Sequence, residues 1–199
     1  VSIIHPWESG LDNSPIWDSP LDKVKIEENL KYERRDLNVS KSENRPLKKD
    51  YDAYITLLNQ FKKDKYNPNK IVNGSMFNVI DIGFNSIVIR ATTDLIEVAK
   101  RFNLNFSDLE NKTTLSEESL IKFYKEEDQS FFSYDFKNHN LIKVDAISNY
   151  FILFANLDNK DINNKIINKL KKYNSQSEYF FTTVNPKDCL LYTSDAADE

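Results

Sequence analysis

Apolar side chains recur every three or four residues in several stretches of this chain, which is the periodicity of amphipathic helices. One such stretch ends near Asp64 and carries Tyr51, Tyr54, Ile55, Leu58 and Phe61 on a common face. A second, wider stripe starts near Asp81 or Asn85 and consists of Phe84, Ile87, Val88, Ala91, Leu95, Val98, Ala99 and Phe102. A stripe of that width predicts a long helix that packs on both flanks.

The remaining patterns predict shorter elements. We expect helices over residues 145–156 and 161–173. A capping-box pattern, Thr114-Leu115-Ser116-Glu117, also predicts a short helix that carries Leu120, Ile121 and Tyr124. Residues 131–144, with a turn at Asn138-His139-Asn140, and residues 179–184 are expected to be extended. Residues 19–47 are expected to form a long loop that can include a short helix. Several helices joined by loops indicate an all-α domain, although a solenoid or a bundle would show the same periodicity.

Composition fits one globular domain and disfavours several classes of protein. The 199 residues are 40% hydrophobic and 13% aromatic, and no apolar run approaches the roughly 20 residues that cross a bilayer. A net charge of −4 argues against a nucleic-acid partner, which normally requires a basic face. With two histidines and no Gly-rich phosphate loop, we expect no metal and no cofactor. The expected location is the cytoplasm.

Residues 189–199 resemble a peptide translated from sequencing-adapter DNA of the transposase type. The only cysteine, Cys189, lies in this stretch together with Asp195, Asp198 and Glu199, so the remainder has no cysteine and a nearly balanced charge. We therefore expect residues 1–188 to be a fragment of a longer domain and residues 189–199 to be a tail that is not native. A flexible acidic tail is the alternative.

The run His5–Asp18 concentrates the chemistry of the chain. It holds both tryptophans, three carboxylates, two prolines and one of the three glycines. Such a mixture suits a sugar ring, because aromatic faces pack against its C–H groups while carboxylates accept hydrogen bonds from its hydroxyls. We call this run the motif.

The order of residues in the motif, above all Glu8-Ser9-Gly10-Leu11-Asp12, resembles the general-acid motif of inverting α-glycosidases built on an (α/α)6 barrel. The mannosylglycerate and glucosylglycerate hydrolases are the most similar, followed by the processing α-glucosidase type and, more distantly, the trehalases. Weaker similarity extends through Tyr32–Asp36, Arg45-Pro46, Tyr51–Tyr54 and Asp81–Ile87. The resemblance implies an all-α fold that is an incomplete (α/α)6 toroid, about half of the barrel.

An inverting glycosidase uses two carboxyl groups roughly 6.5–9.5 Å apart, one as acid and one as base. The resemblance assigns the acid to Asp12, whose alternative role is to cap a helix in the Asp12-Asn13-Ser14-Pro15 turn. An acid must keep its proton near neutral pH, and burial with the nearby charges of Glu8 and Asp18 would favour that state. The glutamate that serves as base in these families lies downstream of the stretches seen here, so we expect this chain alone to be inactive.

The resemblance also implies which residues bind substrate, namely Trp7, Glu8, Asn13, Arg45 and Tyr51. Trp7 would form an apolar wall, and Glu8 would either bond sugar hydroxyls or support the loop. Arg45, with Tyr51 one helical turn onward, would hold a glycerate carboxylate through its guanidinium, unless it pairs locally with Glu43. Asn13 has a structural role as its alternative, and His5, Trp17 and Asp18 are expected to fix the loop.

The expected function is therefore that of a fragment of an inverting exo-α-glycoside hydrolase. Its substrates would be small α-glucosides or α-mannosides such as glucosylglycerate or mannosylglycerate, with water as nucleophile. A broader oligosaccharide α-glucosidase or a trehalase-like enzyme is the alternative within the class. A non-catalytic carbohydrate-binding or scaffold protein is a second class, and an unrelated helical interaction module is a third.

Overall fold

The computed structural model describes residues 1–35, 37, 46–175, 182 and 184. Helices dominate this part of the chain, and the α-helices are Asp18–Leu21, Lys48–Lys63, Pro68–Gly74, Ile82–Arg101, Ser107–Ile121, Ile152–Ala155 and Lys160–Asn174. Shorter 3-10 helices cover Pro6–Ser9, Pro15–Trp17 and Ile147–Phe151. The strands are two residues each, at Val79–Ile80, Tyr124–Lys125, Ser130–Phe131, Tyr134–Asp135 and Asn140–Leu141. The all-α prediction is confirmed.

The short strands pair into two small antiparallel sheets in the segments that connect the helices. Tyr134–Asp135 pairs antiparallel with Val79–Ile80 on one side and with Asn140–Leu141 on the other, and Tyr124–Lys125 forms a separate hairpin with Ser130–Phe131. An isolated bridge joins Ile3 to Val79 through two backbone hydrogen bonds of 2.8 and 2.9 Å. This bridge fixes the start of the motif against the body of the domain.

Two hydrophobic clusters form the core. The first packs the apolar residues of the motif, Ile16 and Trp17, against the helix Lys48–Lys63, whose most buried residues include Tyr54 and Leu57. The second lies under the helix Ile82–Arg101 and consists of Ile82, Ile89, Leu120, Phe131, Tyr150, Ile152, Ala155, Leu157, Ile166 and Tyr173. The two ends of the motif therefore belong to the core of the domain, whereas its middle, residues 7–14, is exposed or partly exposed.

The two strongest helix predictions are confirmed. Lys48–Lys63 ends within one residue of the expected limit, and Ile82–Arg101 begins after Asp81, whose side chain accepts a hydrogen bond from the backbone N of Phe84 at 2.7 Å. The second helix packs against both the helix Ser107–Ile121 and the segment Ile147–Ala155. Its remaining face leaves Ile87, Leu95, Val98 and Phe102 exposed.

Other predictions need correction. Thr114–Glu117 lies inside the helix Ser107–Ile121 and is not the N-terminal cap of a helix. The helix begins earlier than predicted because its first turns are polar and show no apolar period. Tyr124 lies in a strand and not in this helix. The helix expected over residues 145–156 begins as a 3-10 turn at Ile147 and ends at Ala155. Extended structure over residues 131–144 and the helix Lys160–Asn174 are confirmed. The loop over residues 19–47 begins with a helical turn, Asp18–Leu21, and lies partly outside the described residues, as do most of residues 179–184 and the whole tail 189–199.

Candidate active site

The first half of the motif folds as a capped 3-10 turn. His5 is its N-cap, with the ring Nδ1 accepting a hydrogen bond from the backbone N of Trp7 at 3.1 Å. Glu8 Oε2 reaches back to the backbone N of Ile4 at 2.7 Å and of His5 at 3.3 Å. Gly10 then reverses the chain at φ +71°, a left-handed conformation that favours glycine. Of the two roles predicted for Glu8, the contacts of this oxygen favour support of the loop.

The second half of the motif is held from beneath by two buried aromatic residues. Trp17, with 1% of its surface exposed, donates from Nε1 to the carbonyl of Leu11 at 2.7 Å. Tyr54, equally buried, donates from its hydroxyl to the carbonyl of Asp12 at 2.7 Å. The carbonyls of the consecutive residues Leu11 and Asp12 are thus both hydrogen-bonded to buried side chains, and the expectation that Trp17 anchors the loop agrees with its contacts.

The His5 ring connects the motif to the neighbouring helix. Its Nδ1 is an acceptor, so the proton of the neutral ring is assigned to Nε2, which lies 3.2 Å from the carbonyl oxygen of Tyr54. Burial lowers the pKa of His5 from 6.5 to about 4, and the hydrogen bond to Tyr54 opposes this only in part. The ring is therefore neutral at pH 7, which the hydrogen bond accepted by its Nδ1 requires.

An aromatic surface surrounds Trp7, whose side chain is 42% exposed. Its ring centroid lies 4.6 Å from that of His5, 5.8 Å from Tyr54 and 6.3 Å from Tyr51. Tyr51 in turn stacks on Tyr32 at 5.5 Å and lies 4.4 Å below the guanidinium carbon of Arg34. The result is a rigid apolar platform with a cation at its far end. A cavity of about 560 Å³, lined partly by Tyr32 and Arg34, lies beside it.

Carboxylates gather around Tyr54. Burial raises the pKa of Tyr54, and the negative charges of Asp12, Asp50 and Asp18 raise it further, so its hydroxyl remains a hydrogen-bond donor at any ordinary pH. Asp18 is itself affected: burial first, and then the charge of Asp50, raises its pKa to about 6 against the opposing charge of Lys49. This side of the motif is therefore an acidic environment.

The predicted site residues lie in four different settings. Asp12 and Asn13 are exposed on the loop, and Trp7 and Tyr51 belong to the aromatic platform. Glu8 caps the turn below them, while Arg45 lies outside the described residues. The burial expected around Asp12 is absent in the part of the chain that the structure describes, since its side chain faces solvent.

Tyr54 is the residue that sequence reasoning missed. Its place on the apolar face of a helix gave it a core role, and no sequence signal indicates that its hydroxyl reaches the motif across 42 residues. Among the described residues, no three His, Cys, Asp or Glu side chains are grouped so that they could hold a metal ion. Within the same residues, no helix has the length and apolar character needed to span a membrane.

The chain is similar in sequence to several hydrolases of glycerate glycosides. The mannosylglycerate hydrolase of Thermus thermophilus is 35% identical over 186 residues, which are 94% of this chain and 45% of that protein. The glucosylglycerate hydrolase of Mycolicibacterium hassiacum is 30% identical over 112 residues, or 56% of this chain and 25% of that protein. The chain thus spans about half the length of the first of these relatives, and less of the second.

Solved structures match the fold closely. The GH63 mannosylglycerate hydrolase from Thermus thermophilus in complex with Tris and D-glycerate gives a TM-score of 0.91 at 34% identity, over 95% of this chain and 46% of that chain. The same enzyme in complex with glucose gives a TM-score of 0.89 at 35% identity, over 95% and 45% of the two chains. These matches confirm the predicted (α/α)6 architecture over about half of the toroid.

A family model described as "Mannosylglycerate hydrolase MGH1-like glycoside hydrolase domain" matches residues 1–190. That match covers nearly the whole chain, the motif included. The chain belongs to the MGH1-like family of mannosylglycerate hydrolase glycoside hydrolase domains.

Proposed function

We propose that this chain is the acid-bearing part of an inverting exo-α-glycoside hydrolase that acts on small α-mannosides and α-glucosides. The observation that carries the proposal is the joint presentation of Asp12 and Trp7 on one loop, both exposed and both tied to the buried Tyr54. Family membership supports a glycosidase and argues against an unrelated helical module. The second carboxyl group would come from the half of the toroid that the chain does not span.

In the proposed reaction, Asp12 gives its proton to the glycosidic oxygen as the bond from the anomeric carbon to that oxygen breaks. A water on the opposite face forms the new bond and loses its proton to the second carboxyl group. Trp7 packs against the C–H face of the sugar, and Asn13 bonds its hydroxyls. Because Asp12 is exposed in this chain, closure of the site by substrate and by the rest of the toroid would supply the desolvation that an acid needs.

The proposed substrates are mannosylglycerate and glucosylglycerate, whose glycerate carboxylate requires a cation. Arg45 and Tyr51 are the proposed partners, and the guanidinium of Arg34 over the Tyr51 ring adds positive charge beside Tyr51. The D-glycerate complex of the Thermus thermophilus enzyme supports this class. A trehalase-like or oligosaccharide α-glucosidase activity would need no such cation, so Arg45→Ala should impair hydrolysis of the acidic glycosides far more than that of trehalose.

The test is made with the complete reading frame that carries this chain. We expect it to hydrolyse mannosylglycerate or glucosylglycerate, with the β-anomer of the sugar appearing first by NMR. Asp12→Asn should lower kcat by about 100-fold to 10,000-fold, the usual contribution of a general acid. Asp22→Asn, which removes an exposed carboxylate paired with Lys49, is the matched control.

Normal turnover by Asp12→Asn would contradict the proposal, as would release of the α-anomer. Sugar binding without turnover by the complete protein would favour a non-catalytic carbohydrate-binding protein. We also propose that the 199-residue chain alone is inactive, because one carboxyl group of two is present; turnover by this chain would refute that.

A further inference from the structure

We propose that Tyr54 is the positioning residue of the general acid, and that its hydroxyl fixes the peptide on which the Asp12 carboxyl is mounted. This inference rests on the proposed function, in which Asp12 donates the proton. Tyr54 comes from the middle of the helix Lys48–Lys63 and is 1% exposed.

Tyr54 contacts the motif at three separate points. Its hydroxyl donates to the Asp12 carbonyl at 2.7 Å, its own carbonyl lies 3.2 Å from His5 Nε2, and its ring centroid lies 5.8 Å from that of Trp7. His5 in turn caps the turn that carries Trp7. One buried residue therefore holds the acid and the aromatic platform in a fixed relation.

The Asp12 contact restrains geometry directly. The carbonyl and the side chain of Asp12 leave the same Cα, so a fixed carbonyl limits rotation of that residue about its backbone. Gly10, two residues earlier, has no side chain to restrict its backbone and nothing within 4 Å of its would-be Cβ. Without the Tyr54 bond, the peptide after Asp12 would lose its tie to the core, and misplacement of a catalytic group by about 1 Å can cost about 100-fold in rate.

The Tyr54 hydroxyl can keep its hydrogen bond to the Asp12 carbonyl at any working pH. Desolvation and the surrounding carboxylates keep it protonated, so it donates to the carbonyl throughout the working pH range. A bond from Lys or His would change with pH or with the proton state of Asp12. The contact thus holds Asp12 in place before and after it releases its proton.

The test uses Tyr54→Phe, which removes the hydroxyl and keeps the ring in the core. Tyr173→Phe is the matched control, because Tyr173 is also buried and also donates its hydroxyl to a backbone carbonyl, that of Thr182 at 2.9 Å. The first measurement is made on the folded 199-residue chain by NMR. We expect the carbonyl carbon of Asp12 to move upfield in Tyr54→Phe, and to stay in place in Tyr173→Phe.

The second measurement separates positioning from stability. In the complete reading frame, Tyr54→Phe should lower kcat about 10-fold to 100-fold with KM within about twofold, whereas Tyr173→Phe should leave both unchanged. An unmoved Asp12 carbonyl, or equal kcat in the two variants, overturns the proposal. If the wild-type complete protein fails to hydrolyse any glycoside, the proposed function fails and the catalytic role of Tyr54 fails with it; the NMR shift then reports only that Tyr54 orients the loop.

Discussion

Acidification below pH 6.5 should destabilise this domain through His5. The ring is 3% exposed, and its Nδ1 can accept the hydrogen bond from the backbone N of Trp7 only when the ring is neutral. In the unfolded chain the ring takes up a proton near pH 6.5, whereas burial lowers its pKa in the folded chain to about 4. Between these values the unfolded state binds more protons, so stability falls as pH falls.

The magnitude follows from the two pKa values. One pKa unit corresponds to about 1.4 kcal/mol, so the difference between 6.5 and about 4 amounts to about 3 kcal/mol. This loss of stability is zero above about pH 7.5, where the ring is neutral in both states, and is complete only below about pH 4, where it is protonated in both. The figure is a large part of the roughly 5–15 kcal/mol that stabilises a typical domain.

The assay compares wild type with His5→Asn by urea unfolding between pH 8 and pH 4. Asparagine is a strong N-cap, so it can replace the bond to the backbone N of Trp7 without titrating. We expect the difference in unfolding free energy, wild type minus variant, to be constant above about pH 7.5 and to decrease by about 3 kcal/mol towards pH 4. A difference that is independent of pH would refute both the burial argument and the tautomer assigned to His5.

Three further predictions address the same region and the helix beside it. Asp18→Asn should stabilise the fold at pH 7.5 and lose that advantage as pH falls through 6 towards 3.8, because burial and Asp50 raise the pKa of Asp18 in the folded state. Urea unfolding at several pH values checks this: the stability that wild type gains from Asp18 should rise as pH falls, opposite to the effect of His5. Gly10→Ala should lower the unfolding free energy by about 1–2 kcal/mol because φ is +71°, and Gly10→Asn by less, since asparagine tolerates this conformation; equal losses would point to a steric cause. Gly83→Ala should lower the thermal midpoint, because the added Cβ would lie 3.1 Å from Cβ of Ser148 and 3.3 Å from the Phe151 ring. Gly74→Ala should change the midpoint little, because its added Cβ would lie 3.7 Å from Gln60 Nε2. An unchanged midpoint in Gly83→Ala would show that the neighbouring side chains move aside without cost.

Local sequence determined the helices because their apolar stripes are wide and their ends are marked. The Asp81 cap and the stripe that follows it identify Ile82–Arg101 without reference to any other element. The same reasoning failed for Ser107–Ile121, where only Thr113 and Leu120 are buried and the period is therefore weak. The two-residue strands could not be predicted either, since a run of two residues is too short to show a period.

The sequence by itself indicated the family and the candidate acid, because the motif places two tryptophans and three carboxylates in one short run whose order resembles that of a known general-acid motif. Only the tertiary structure decided that Asp12 is exposed, that Glu8 caps a turn, and that Tyr54 ties the motif to a helix. The physical reason is distance along the chain. A cap or a stripe is written in neighbouring residues, whereas a hydrogen bond from Tyr54 to Asp12 depends on how a whole helix packs.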